Sequence, residues 1–241
     1  VTAPHFFVSP DQTVATGDEV LLDAEDSRHA LRSLRLRPGE VVTLADGSGL
    51  WVTGVVAGER EGRAVIEVRD TRQVLRPEPS LTVAMAPPKG DRLSWAVQKL
   101  AEIGVDRLEI VETGRTLRAW SPERATRALA RLRAVAREAA MQSRRPFLMD
   151  VQQGVLTTEP DGPATIVLWE EAKQALSDAL PAVPGPIRLM VGPEGSFTDQ
   201  EVADAVAGGA VAASLGPAIL RTETAAVVGA ALVLARFSLL G

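Results

Sequence analysis

From Leu81 to the C-terminus the sequence alternates short apolar runs with longer amphipathic stretches, and this rhythm constrains the fold more than any other feature. Leu81–Ala86, Leu108–Val111, Thr165–Trp169, Ile187–Val191 and Val211–Leu215 read as strands. Arg92–Ile103, a long segment opening at Ser121-Pro122, a segment opening at Thr198, and Glu223–Phe237 read as helices. Short, almost continuously apolar strands are typical of sheets buried on both faces, and strands that alternate with helices give an α/β fold with a mostly parallel sheet. The boundaries carry their own signals. Gly104 suits a helix C-cap, Ser121 caps a helix with proline at its first position, and Thr198-Asp199-Gln200-Glu201 is a capping box.

Residues 1–73 read differently. Val41–Leu44, Leu50–Ala57 and Ala64–Val68 are short β-type segments separated by Asp46-Gly47-Ser48-Gly49 and the Gly58–Gly62 turn. Such spacing suggests a small β-barrel. Ala24–Leu34 looks helical, with Asp26 or Ser27 as its cap. Arg76-Pro77-Glu78-Pro79 marks an extended linker over 74–80, so the second domain is expected over 81–241.

Several function classes drop out. The chain has no cysteine and only two histidines, His5 and His29, which removes thiol nucleophiles and makes no metal site the expectation. The first nine residues lack a basic-then-apolar leader. The longest apolar run, Thr224–Ala235, is too short to span a bilayer, and a cytoplasmic location is expected.

The net charge of −5 hides a strong asymmetry. Between Arg115 and Arg145 stand nine arginines against only Glu123 and Glu138. Arg28, Arg32, Arg35 and Arg37 form a second cluster without an acid between them. Arginine supplies bidentate phosphate contacts and stacks on bases, although a GC-rich genome gives the same residue bias. The clustering of basic charge on an acidic chain fits a specific RNA surface.

Three strands end in loops that stand out: Leu168-Trp169-Glu170-Glu171, and two that carry glycine and proline, Val191-Gly192-Pro193-Glu194-Gly195 and Leu215 to Thr224. Ligands of open α/β sheets bind beyond the carboxyl ends of the strands. Loops of this composition can hold an adenine through backbone hydrogen bonds, or can be plain turns; spacing alone does not decide. No G-x-G-x-x-G follows the first strand and no G-x-x-x-x-G-K-[ST] occurs, so neither a dinucleotide-binding Rossmann site nor a P-loop is supported.

The pair Val191-Gly192-Pro193-Glu194-Gly195 and Leu215-Gly216-Pro217-Ala218-Ile219-Leu220-Arg221-Thr222-Glu223-Thr224-Ala225 is similar to the signature of the RsmE family. These are SPOUT-superfamily methyltransferases that modify N3 of a uridine in 16S ribosomal RNA. Lys89-Gly90-Asp91, Gln98-Lys99, Glu102–Val105 and Gln142–Pro146 extend the match. His29-Ala30-Leu31, Leu34-Arg35 and Asp46–Gly49 resemble the family's PUA-like RNA-binding domain. The resemblance spans nearly the whole chain. It departs at Ser196, where the family usually has glycine, at Met141, where an acid is common, and at Gly114-Arg115-Thr116, where Glu-Arg-Ser or a similar stretch is usual.

The resemblance implies a C-terminal SPOUT domain with a trefoil knot, homodimerisation through it, and S-adenosylmethionine as the cofactor, leaving S-adenosylhomocysteine. The expected cofactor residues are Leu168, Trp169, Glu170, Gly192, Pro193, Glu194, Gly195, Leu215, Gly216, Ile219, Leu220, Thr222, Thr224 and Ala225. Arg221 is the first candidate to stabilise charge on the uracil oxygens, or else a phosphate clamp or an ion-pair partner of Glu223. For a base, Glu194 and Glu223 are the nearest carboxylates in the motif. Either could instead cap a helix or brace the knot, the role that suits Glu194 better, which leaves Glu223 as the catalytic candidate. Arg28, Arg32, Arg35, Lys89, Arg115, Arg144 and Arg145 are the expected RNA contacts. The apolar last helix would face the sheet and a partner copy, or lie wholly within one core. The missing cysteines speak against C5 methylation of uridine. A non-catalytic assembly factor and a ribose 2′-O-methyltransferase are the competing readings.

Overall fold

The computed structural model describes residues 3–115, 120–158 and 162–240, so Thr116 and Arg118 lie outside the described residues. They form two compact units, one from residues up to 76 together with 140–148, the other from 77–139 and 149 onward.

The first unit is built on a five-stranded sheet in the order β1 (His5–Phe7), β3 (Val41–Ala45), β4 (Leu50–Arg60), β5 (Arg63–Gln73), β2 (Glu19–Leu21). β1 and β3 are parallel and the other pairs antiparallel. β4 and β5 run well past the segments expected from apolar alternation, because their outer ends pair as an exposed ribbon. Gly54 sits at a register shift between them, and a Cβ there would stand 2.8 Å from the Glu67 carbonyl oxygen. Inward residues Phe6, Leu22, Leu44, Val52 and Ile66 fill the core.

The helix expected over Ala24–Leu34 is shorter and differently capped. α1 (Ala24–Arg28) passes into a π-helical turn over His29–Ser33, closed by the Leu34 amide donating to the His29 carbonyl at 2.9 Å. The cap is Asp23, not Asp26 or Ser27: Asp23 Oδ1 accepts from the Asp26 amide at 2.7 Å. Ser27 is instead buried, donating to the Leu22 carbonyl. Asp46 ties the β3–β4 turn by accepting from the amides of Ser48, Gly49 and Leu50 at 2.7–3.0 Å.

The second unit is a six-stranded sheet, all of whose pairings are parallel, in the order β11 (Val211–Ala213), β9 (Ala164–Leu168), β10 (Ile187–Val191), β6 (Leu81–Met85), β7 (Arg107–Ile110), β8 (Asp150–Gln153). This is the α/β architecture expected from the strand–helix rhythm. Strand alternation splits the core. Leu81, Val83, Met85, Ile187, Leu189 and Val191 pack with α2 (Arg92–Ile103), α3 (Pro122–Gln142) and α6 (Thr222–Arg236), while Ala84, Val167 and Met190 pack with α5 (Asp199–Ala207). α4 (Leu176–Ala179) is a single turn. The expected caps are present: Gly104 is left-handed at φ 97°, and Thr198 and Glu201 close a reciprocal capping box. β11 stops at Ala213 rather than Leu215, because the Ser214 amide turns away to the Gln174 carbonyl at 2.8 Å.

Gly229 lets α6 lie close to the sheet: a Cβ there would come within 2.8 Å of Leu189 Cδ2 and 2.9 Å of Leu168 Cδ1, so a methyl group would have to push these side-chain ends aside. Beneath the other face, the nearly buried Arg188 bonds Glu109 Oε2 at 2.8 Å and the carbonyls of Val155 and Thr157 at 2.6 and 3.0 Å. Among the described residues no helix is long and apolar enough to cross a membrane.

Candidate functional site

Because β9, β10 and β11 are parallel, their carboxyl ends lie together, and the loops that leave them enclose a cleft of about 230 Å³. All three loops are held by short-range bonds. Trp169 donates its amide to the Ala213 carbonyl at 2.9 Å, and Ser196 donates its amide to the Pro193 carbonyl at 2.9 Å. Ser214 Oγ both accepts from the Gly216 amide and donates to the Gly216 carbonyl. Glycine is required at two points. A Cβ at Gly192 would stand 3.1 Å from the Phe197 amide nitrogen, and Gly216 has φ 115°, a region open to glycine.

Every expected cofactor residue lines this cleft except Gly195 and Thr224. Gly195 faces the other way, its carbonyl accepting from Arg115 at 2.6 Å. Thr224 lines an adjoining cavity of about 540 Å³ with Arg92, Trp95, Ile219, Leu220, Arg221 and Glu223. Val191, Ser196, Ser214 and Ala218 complete the cleft. None of them was expected to bind the cofactor, although Ser196 stood out as a departure from the family pattern and each sits inside or beside a loop that was singled out.

Arg221 stands at the N-cap of α6, is exposed, and borders both cavities. It does not pair with Glu223. That carboxylate is buried and meets Arg92 instead, with Nε to Oε1 at 3.5 Å, while its Oε2 is buried without a hydrogen-bond partner. Thr222 Oγ1, at the cleft wall, is likewise buried and unpartnered. Unsatisfied buried polar atoms are rare and mark places where something else binds. Glu194 braces: it accepts from the Lys89 amide at 3.1 Å and lies 3.9 Å from Arg92. Arg92 was placed on a helix by the sequence but not in the site, since its partners lie about a hundred residues away.

Ser196 is a second departure with a structural meaning. It adopts φ 62°, which explains the glycine usual there, and its hydroxyl donates to Glu170 Oε2 at 2.7 Å. Glu201 joins two loops by accepting from the Gly114 amide at 2.7 Å. Its carboxyl is pulled up by burial but held below the usual range by bonds from Thr198 and Gly114 and by Arg115. Of the expected RNA contacts, Arg28, Arg32, Arg35, Arg144 and Arg145 belong to the first unit and Lys89 and Arg115 to the second. Among the described residues no cluster of three histidines or acids could hold a metal.

A family profile described as an RNA methyltransferase domain matches residues 76–234, and one described as an RNA methyltransferase PUA domain matches 22–69. The chain is 37% identical over 240 residues to the ribosomal RNA small subunit methyltransferase E of Mycobacterium bovis, covering 95% of this chain and 90% of that one. The chain belongs to the RsmE family. The Bacillus subtilis RsmE protein is 28% identical over 92% of this chain and 91% of its own. The crystal structure of the RsmE protein of Neisseria gonorrhoeae, which holds S-adenosylmethionine, superposes with a TM-score of 0.86 at 29% identity, covering 97% of this chain and 98% of that one.

The cleft has the character such a cofactor needs: Leu168, Leu215 and Leu220 line it with apolar surface, and the buried Thr222 Oγ1 on its wall has no hydrogen-bond partner.

Proposed function

We propose that this RsmE-family chain methylates N3 of a uridine in 16S ribosomal RNA of the small subunit, using S-adenosylmethionine held in the three-loop cleft. The carrying observation is that the two motif loops and the Leu168–Glu170 loop enclose one cleft with Arg221 on its rim. The bound cofactor supplies an electrophilic methyl on a sulfonium. The chain must do the rest: remove the N3 proton, stabilise the charge that spreads to O2 and O4, and hold the nitrogen in line. Glu223 Oε2 is the acceptor for the proton, since Arg92 occupies only its other oxygen. Arg221, with no side-chain partner among the described residues, supplies the cation. The nitrogen gains a carbon bond, the sulfonium loses one, and S-adenosylhomocysteine and a proton leave; the displacement needs no metal.

The first domain, with Arg28, Arg32, Arg35, Arg144 and Arg145, grips RNA, and Lys89 and Arg115 continue that role in the second. Phosphate contacts of this kind give affinity and position rather than sequence. The chain works in the cytoplasm as a homodimer through the knotted domain. Trp95 on α2 and Val228 and Leu232 on α6 are 45%, 37% and 48% exposed on helices that pack together, an apolar face a second copy would cover.

Incubation with methyl-labelled S-adenosylmethionine and small subunits lacking the modification tests the proposal. Label in 16S RNA supports it. Cofactor binding without transfer would point to another substrate, and absence of both would favour a non-catalytic assembly factor.

A further inference from the structure

The first unit holds a cavity of its own. About 240 Å³ in size, it is lined by Ala3, Pro4, His5, Phe6, His29, Leu34, Met141, Gln142 and Arg144. Apolar and ring-bearing side chains share the walls about evenly with polar atoms, and no acid is among the lining residues. The His5 ring stacks on Trp51 at 5.0 Å, and both of its nitrogens are committed, Nδ1 to Thr43 Oγ1 and Nε2 to the Arg145 carbonyl. Arg144 is the unusual member. α3 ends at Gln142, and two residues later Arg144 takes φ 55°, a position after a helix where glycine or asparagine normally stands. Its Nε is buried with no hydrogen-bond partner, although the guanidinium lies 5.7 Å over the Trp51 ring. A strained backbone that presents an unsatisfied planar donor in a cavity points to a ligand. The opposite wall comes from His29 and Leu34, on and just after the π-helical turn, and such turns recur at functional sites.

We propose that this cavity takes the base of one unpaired nucleotide of the RNA substrate, with Arg144 and Gln142 donating to the base edge and His29 and Leu34 covering its faces. A phosphate would use only the polar part of these mixed walls, whereas an unstacked base gains from both the apolar surface and the donors. Arg28, Arg32 and Arg35, exposed on the same helical segment and just beyond it, are placed to hold the flanking phosphates. The inference rests on the reading of the chain as an RNA methyltransferase, but its test does not require turnover.

The experiment uses the full chain and a fluorescent unpaired oligoribonucleotide of mixed sequence, followed by anisotropy. A second copy of the oligonucleotide carries 2-aminopurine. Arg144→Gly removes the guanidinium and places glycine at a left-handed φ, so the variant should melt no lower than the parent. Its affinity for the oligonucleotide should fall about tenfold, and the 2-aminopurine signal change on binding should vanish. Arg144→Lys, which keeps the charge but loses the planar donor, should not restore either. Unchanged affinity in Arg144→Gly, full rescue by lysine, or a lowered melting temperature would overturn the proposal, since these assign Arg144 no contact, a phosphate contact or a structural role. Failure of methyl transfer with these binding results intact would instead strike the functional reading alone.

Discussion

Ser196 Oγ donates a 2.7 Å hydrogen bond to Glu170 Oε2, fastening the loop after β10 to the loop after β9 at the three-loop cleft. The serine does so from φ 62°, a conformation that costs a non-glycine residue roughly 1–2 kcal/mol. Ser196→Gly should therefore stabilise the cofactor-free protein by about 1 kcal/mol and weaken S-adenosylmethionine binding a few-fold. Ser196→Ala should keep the strain and lose the bond, and so show only the second effect. Thermal melts and calorimetric titration of the two variants separate the terms; equal cofactor affinity in all three proteins would remove the bond from the account.

In the proposed function Arg221 and Glu223 have roles at the reacting base, and Glu194 keeps a bracing role. Arg221→Ala should lower kcat by about a hundredfold or more, the usual cost of losing a charge-stabilising donor, while the cofactor Kd changes little. Glu194→Gln should instead raise the cofactor Kd, because the Lys89 and Arg92 contacts hold a loop rather than a reacting atom. Single-turnover rates with saturating cofactor read the difference.

A methyl group on Gly229 would have to displace the side-chain ends of Leu189 and Leu168. Gly229→Ala should therefore destabilise the fold by about 1 kcal/mol, the overpacking being partly offset by alanine's better helix propensity, and should also loosen cofactor binding because Leu168 lines the cleft. Denaturant unfolding and cofactor titration check both parts.

Much of this was legible in the sequence. The apolar runs from Leu81 onward located five of the six strands of the parallel sheet, and the two motif loops located the cleft. β8, Asp150-Val151-Gln152-Gln153 at the sheet edge, was missed because it carries a single apolar residue. Other features depend on partners distant in the chain. Nothing local to Arg92 reveals that it meets Glu223, and nothing local to Ser196 reveals Glu170. Residues 140–148 join the first unit, a return that no composition shift signals. Asp23 was missed as a cap because Asp26 and Ser27, three and four residues on, carry equally good capping side chains.

Buried His5 is held neutral. Desolvation lowers its pKa from 6.5 to about 4, the bond to the Arg145 carbonyl opposes this, and the Arg144 charge adds to the lowering. The unfolded chain binds a proton near pH 6.5 that the folded chain refuses until about pH 4. The stability contributed is thus full above pH 6.5 and is lost as pH falls toward 4, to a total of roughly 3 kcal/mol. His5→Gln should flatten that part of the stability profile, and the His5 ring proton signals should titrate with a midpoint near 4.

The apolar face of α2 and α6 predicts the assembly state. Leu232→Glu, at a side chain 48% exposed, should convert a dimer into a folded monomer in light scattering, with an unchanged circular dichroism spectrum. A wild-type monomer at micromolar concentration would contradict the dimer.

The most direct test of the central claim is the identity of the methylated nucleoside, read by mass spectrometry after digestion of labelled 16S RNA. The account predicts 3-methyluridine, absent with Arg221→Ala and retained with Arg124→Ala. A ribose-methylated or C5-methylated uridine would contradict it.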